Sequence, residues 1–343
     1  MARERSPIAL DFRDDFVRGV QLERRADGLH VVAAHAVRLA PAAADATPAD
    51  RTACRTEAGR RLLREGGFRG RAAVVAIDHD GFTTRRIRIP TERLEQAGEL
   101  IAREIQDQSD AGGERTILPI PVADLFDQGQ TKREFLCCAA RADAVDGAIA
   151  AAESLGLVPR AVDLEPCALV RPFVQRARQD SFLHLDLRRR RSSITIVRAG
   201  ATVTMAPARP GRDDLPERLR HRLQLDVPSL VDLDRVPDVD HRNLHDAVAR
   251  VLAEPLERLL LELSAAVRYC GSLFQGRAVT VLRTSGALAE LPGLVPYLGR
   301  RIGISAEVAD PFAGLAAGAV PTTAGGGRSE YCTAVGLALR EAA

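Results

Sequence analysis

Two short stretches hold the side chains most capable of chemistry: Ile8-Ala-Leu-Asp11-Phe-Arg13 and, far downstream, Leu183-His-Leu-Asp186-Leu-Arg188. In each, an apolar run ends in an aspartate, one apolar residue and an arginine. An aspartate at the mouth of a tight strand-to-strand turn is where some nucleotide-binding folds meet phosphate and metal. Such turns need small residues, because an anion must come close to backbone N–H groups. Here an arginine stands where that demand is strongest. The pattern therefore names an architecture and questions its chemistry together.

The elements around the two turns repeat as well. A β-type run follows each of them (Phe16 to Leu22, and Ser193 to Val197), then a third (His30 to Leu39, and Ala201 to Ala206). A strand unit recurring at this range implies a duplicated domain core. With 343 residues, the chain is long enough for two domains with sizeable cores. Hydrophobic residues make up 46% and charged residues 27%, the profile of a globular protein and not of a disordered one. A net charge of +2 gives no general attraction to nucleic acid, and 4% aromatic residues without tryptophan weaken any stacking role.

Further elements follow from periodicity and punctuation. Helices are expected over Thr52 to Glu65, closed by Gly66-Gly67, and over Glu92 to Gln106, with Leu94, Ala97, Ile101 and Ile105 on one face. Asp143 is expected to cap a helix carrying Val145, Ile149, Ala152 and Leu155. Strands are expected at Ala72 to Ile77, Phe82 to Ile89, Ile117 to Ala123, Phe135 to Ala140 and Arg160 to Leu164, then a helix from Pro166 to Arg178. In the second half, a long helix spans about Leu244 to Phe274, with Leu252, Leu256, Leu259, Leu263, Val267 and Cys270 along one stripe. Strands at Val279 to Leu282 and Ile304 to Val308 follow, and a last helix covers Glu330 to Glu341 after Gly325-Gly326-Gly327.

Several functions find no support in these residues. The six cysteines form no CxxC pair and read as reduced core residues. Of the seven histidines only His241 and His245 stand four apart, and that spacing alone is a common coincidence. Ser285 lacks the surroundings of a nucleophile elbow. No apolar run reaches the roughly 18 residues of a membrane span, and the N-terminus lacks the pattern of a signal peptide. A cytoplasmic location is expected.

The order of elements resembles the actin-like superfamily (actin, sugar kinases, Hsp70), and within it the PilM family of type IV pilus assembly proteins, close to FtsA. The most specific stretch is Phe135-Leu-Cys-Cys-Ala-Ala-Arg with Ala152-Glu-Ser-Leu-Gly156-Leu-Val-Pro159-Arg-Ala-Val-Asp163-Leu-Glu-Pro-Cys-Ala168-Leu-Val-Arg171. It is similar to the family's strand, helix, "AGL-P" turn and "vDve…AL-R" segment. Leu291-Pro-Gly-Leu294 after a Ser-Gly turn, and Ala334-Val-Gly-Leu-Ala-Leu-Arg340, are further matches. The resemblance implies an α/β, actin-like (ribonuclease H-like) duplicated fold with a small inserted α/β subdomain. On this reading the first core domain takes residues 1–77, 162–178 and 328–343, and the inserted subdomain 78–161. The second core domain takes 179–327, with a helical insertion about 210–250.

In that family a cleft between two domains holds ATP and magnesium. The resemblance assigns Asp11 and Asp186 to the two phosphate hairpins, near any magnesium, and Gly286 to the first glycine of the adenosine turn. Ser192 or Ser193 would supply the hydroxyl of the second hairpin. Arg13 and Arg188 replace the glycine of each hairpin, Asp14 and Asp15 replace small hydroxyl residues, and Ala287 and Leu288 replace further glycines. The run Arg188 to Arg191 has two readings: a guanidinium grip on phosphate, or a solvated turn paired with Asp14 and Asp15 across a closed cleft. The second carries more weight, since charge runs in turns are usually solvated faces.

By the same resemblance the chain is expected to be an adaptor of a pilus or related secretion platform with a degenerate nucleotide cleft. It would bind the cytoplasmic tail of a PilN-like inner-membrane protein near Ile87 to Leu100 and Phe135 to Ile149, and reach the membrane only through such partners. Self-assembly into a ring or filament stays open. The alternative is an ATP-binding actin-like switch or ATPase; a sugar kinase lacks a convincing catalytic aspartate.

Overall fold

A computed structural model describes residues 4–13, 15–40, 47–107, 114–174, 181–188, 192–208, 214–227, 230, 234, 236–273, 279–316 and 327–342. The chain divides into two units: Met1–Pro172 with Phe312–Gly325 and Thr333–Ala343, and Phe173–Pro311 with Gly326–Cys332.

In the first unit, β1 (Glu4–Arg5), β2 (Ile8–Phe12), β3 (Phe16–Arg25) and β4 (Gly28–Arg38) pair antiparallel through β3. Helix α1 (Pro48–Glu65) begins four residues before the expected Thr52. Thr47 and Asp50 explain the difference. The Thr47 hydroxyl accepts from the Asp50 N–H at 3.2 Å while the Asp50 carboxylate accepts from the Thr47 N–H at 2.9 Å, a capping box. The β5 strand (Ala72–Ile77) then joins β2 in parallel.

The next passage builds a separate three-stranded antiparallel sheet. Its strands are β6 (Phe82–Pro90), β7 (Arg115–Asp127) and β8 (Gln130–Arg141), in the order β6-β8-β7. Helix α2 (Ala97–Asp107) covers it, burying Ile101 and Ile105 against Ile87, Ile89, Cys137 and Ala139. The expected start of that helix at Glu92 does not hold. Thr91–Gln96 is a 3₁₀ turn broken at Arg93, although Leu94 still packs on the same core.

Next comes α3 (Ala142–Glu153), then β9 (Val158–Leu164) parallel to β5, then α4 (Glu165–Val174). Asp143 is not the cap of α3. Strand β8 runs on to Arg141, which flanks the helix, so Asp143 lies in the first turn and accepts from Arg141 Nε at 2.9 Å. The expected extension of α4 through residues 175–178 lies outside the described residues.

In the second unit, β10 (Ser181–Asp186), β11 (Ser192–Arg198) and β12 (Ala201–Ala208) form a second antiparallel meander. Helices α5 (Asp214–Leu223) and α6 (His241–Leu273) follow, the latter burying Leu252, Leu256, Leu259, Leu263 and Cys270. Then come β13 (Val281–Ser285), α7 (Leu294–Ile302) and β14 (Ser305–Val308). Strand β13 ends later than expected because its parallel ladder with β10 continues to the pair Asp186–Ser285.

The closing helix α8 (Cys332–Ala342) belongs to the first unit from Thr333 onward. A Cβ on Gly336 would lie 1.7 Å from the carbonyl oxygen of Ala168, so α8 and α4 meet backbone to backbone there.

The two main sheets share one topology. The first contains the path β4-β3-β2-β5-β9 and the second runs β12-β11-β10-β13-β14. In both, an antiparallel meander is extended by two parallel strands. Asp11 is the next-to-last residue of β2 and Asp186 the last of the equivalent strand β10. Among the described residues no helix is long and apolar enough to cross a membrane.

Candidate functional site

In both repeated turns the arginine side chain bonds back to its own aspartate. In the first, the Arg13 N–H donates to the Phe16 carbonyl at 2.8 Å, which folds the turn tightly. This returns the Arg13 side chain onto Asp11, with Nε 2.7 Å from the carboxylate. Its Nη1 donates to Glu165 Oε1 at 2.6 Å and its Nη2 to Thr333 Oγ1 at 2.7 Å. One guanidinium thus binds the end of β2, the first residue of α4 and the start of α8. Side-chain exposures of 12% for Arg13 and 4% for both acids make this a buried, charge-assisted fork.

A second ion network braces the same elements. Asp163, at the end of β9, accepts from Arg171 Nη2 at 2.7 Å and lies 3.2 Å from Arg340 Nη1. Arg171 Nη1 also donates to the Gly336 carbonyl at 2.6 Å. Asp163, Glu165 and Arg171 all belong to the segment that carries the sequence resemblance, and their side chains lock α4 and α8 onto the sheet.

The second turn, in the other unit, repeats the clasp. Arg188 Nε donates to Asp186 through a short charge-assisted bond. The other Asp186 oxygen accepts from Ser285 Oγ at 2.9 Å, and Ser285 Oγ lies 2.8 Å from His184 Nε2. Since the Ser285 proton goes to Asp186, the serine oxygen accepts from a protonated His184 Nε2. Burial, then the charge of Arg283, push His184 down to about 3, so its ring is neutral.

Register distinguishes the two candidate serines. Ser193 faces Asp186 across the ladder, so Ser192 points to the opposite side of the sheet. Both are buried, and Ser193 Oγ makes no hydrogen bond. Gly286 has φ +90°, and a Cβ there would meet the Leu187 carbonyl oxygen at 2.3 Å and Asp186 Oδ1 at 2.9 Å. That turn is also bonded to the hairpin, since the Leu187 N–H donates to the Ser285 carbonyl at 2.7 Å. Leu288, one of the residues replacing a family glycine, is buried in the core.

The structure therefore gathers Asp11 with Arg13 in one unit, and Asp186, Arg188, Ser193 and Gly286 in the other. Asp14 and Arg189 to Arg191 lie outside the described residues. Glu165, Thr333, His184 and Ser285 are the partners that sequence reasoning missed. Glu165 and Ser285 left traces, as the acid opening α4 and as the serine of the Ser-Gly turn.

A family model described as type IV pilus assembly protein PilM matches residues 9–342. The chain belongs to the PilM family. Among solved structures it is similar to the PilM-PilN type IV pilus biogenesis complex, with TM-score 0.76 and 22% identity over 98% of this chain and 99% of that one. It is also similar to ethanolamine utilization protein EutJ from Carboxydothermus hydrogenoformans, with TM-score 0.55 and 13% identity over 99% and 90% of the two chains. No curated protein matches in sequence. The PilM-family fold is actin-like, as the resemblance implied, and its two sheets of common topology are the duplicated core.

Proposed function

We propose that this PilM-family protein is a scaffold of a type IV pilus assembly platform that binds the cytoplasmic tail of a PilN-like inner-membrane protein and does so without nucleotide. The observation that carries the reading is the pair of Asp–Arg clasps. A magnesium-bound triphosphate needs acids that face the metal and turns that admit phosphate oxygens. Here Asp11 and Asp186 are each bonded to an arginine, and the Arg13 nitrogens already donate to Asp11, Glu165 and Thr333. Similarity to the PilM-PilN complex over nearly the whole chain supports the choice of partner.

Calorimetric titration with the tail peptide of a PilN-like protein encoded beside this chain tests the partner. Saturable one-to-one binding is expected, and failure of every such tail to bind overturns the proposal. A thermal shift with millimolar Mg-ATP tests the other half. No stabilisation is expected, whereas a saturable rise in Tm would favour an ATP-binding switch instead.

A further inference from the structure

We infer that Asp234, His241 and His245 form a binding site for a divalent transition-metal ion, with zinc(II) as the fitting class. The spacing of the two histidines carries little weight alone. What the fold adds is a third donor from outside the helix. His241 and His245 stand one turn apart at the start of α6, and Asp234 precedes them in the chain. Asp234 Oδ1 lies 3.2 Å from His241 Nδ1 and 2.8 Å from His245 Nε2. One donor atom from each of the three residues falls within 4.8 Å of the others.

These separations suit an ion. Bonds of about 2.0–2.2 Å to imidazole nitrogen and carboxylate oxygen place neighbouring donors roughly 2.8–3.6 Å apart in octahedral or tetrahedral coordination. The two Asp–His distances already lie near that range, so only the two rings need to draw together. Two imidazoles and one carboxylate are the donor set of zinc, nickel and copper, and three protein ligands leave further positions for water.

The surroundings hold the donors in place. Asp240 precedes the helix and accepts from the Asn243 N–H at 3.1 Å through its carboxylate, and the four-residue spacing in the helix puts His241 and His245 on one face. Gly293, at φ +70°, approaches so closely that a Cβ there would lie 2.7 Å from the His245 Cβ. That contact fixes the stem of His245. The positive end of the α6 dipole opposes a cation, and the carboxylates of Asp234 and Asp240 offset it. The two rings are 41% and 39% exposed, so an ion can enter without unfolding. Bound metal would tie Asp234 to the start of α6.

Titrating the metal-stripped full chain with zinc(II) in a calorimeter tests the site. One ion per chain is expected. His241→Ala and Asp234→Asn should each weaken binding at least about tenfold, since even loss of an outer-shell partner costs that much at a metal site. Because His241 is half exposed, its replacement leaves the fold intact, which far-UV circular dichroism checks. Cobalt(II) supplies an independent readout. The expected spectrum shows d–d bands without thiolate charge transfer, separating this site from the six free cysteines. Unchanged zinc affinity in His241→Ala, a thiolate band, or no binding by the wild-type chain would each overturn the proposal.

Discussion

Arg13 donates to Glu165 at 2.6 Å although 152 residues separate them in the chain. That bond converts a turn that could face phosphate into a brace between the sheet and α4. Removing the guanidinium would leave Asp11 and Glu165 buried and close together without their cation. Arg13→Ala should therefore cost about 3–5 kcal/mol, the usual penalty for breaking a buried ion pair from one side. Urea denaturation measures it, and Glu165→Gln in the Arg13→Ala background should recover part of the loss. A cost near that of an exposed pair, below about 1 kcal/mol, would show that the fork is not structural.

Gly286 makes a sharper demand. Its φ of +90° and the Leu187 carbonyl oxygen 2.3 Å from an added Cβ leave no space that a flexible side chain could vacate. Gly286→Ala combines backbone strain with a backbone clash and should destabilise the second unit by roughly 2 kcal/mol or more. The control Gly303→Ala shares a positive φ of +76° but meets nothing within 4 Å, so it should cost clearly less. Melting temperatures of the two variants test the difference.

The legible parts of this molecule were the local ones. Strands β2 and β10 and their Asp-Phe-Arg and Asp-Leu-Arg ends could be read from apolar runs, and the duplication from their recurrence. The capping pair Thr47 and Asp50 was equally local, and Pro48 between them favours a helix start at that position. What no local pattern held was the destination of the arginine forks. Arg13 finds Thr333 across 320 residues, and Ser285 finds Asp186 across 99, because parallel strands and the terminal helix bring distant segments together. Asp234, only 11 residues before His245, was hidden because it lies outside the helix that carries the histidines. Spacing displays only donors that share one element.

His184 predicts an acid limb of stability. Its ring is held neutral in the folded protein down to about 3, against an ordinary value of 6.5. A depressed folded value means the unfolded chain takes up the proton first. The contribution is therefore complete above about pH 6.5 and is lost as pH falls toward 3. The slope from this one group is on the order of 1 kcal/mol per pH unit. His184→Gln keeps an amide N–H near Ser285 but cannot titrate, so its urea midpoint should fall less steeply between pH 6.5 and 4.5. Equal slopes for the two proteins would mean that His184 does not set the limb.

The charge of the tail partner is predicted from the surface that would receive it. Along residues 87–100 the large apolar groups Ile87 and Ile89 are buried, whereas Glu92, Glu95, Gln96 and Glu99 are exposed beside Arg88 and Arg93, three acids against two arginines. Cytoplasmic flanks of membrane-spanning segments carry excess lysine and arginine, so such a tail would be drawn to the three acids and away from Arg88 and Arg93. Exposed charges act over about 8 Å at physiological salt and mainly raise the rate of association. The double change Glu95→Arg and Glu99→Arg should then weaken tail binding about tenfold, chiefly through slower association, and raising salt should weaken the wild type in the same way. Surface plasmon resonance separates the two rates. Should the reversed pair bind the tail at the wild-type rate, the acidic row is not part of the docking surface.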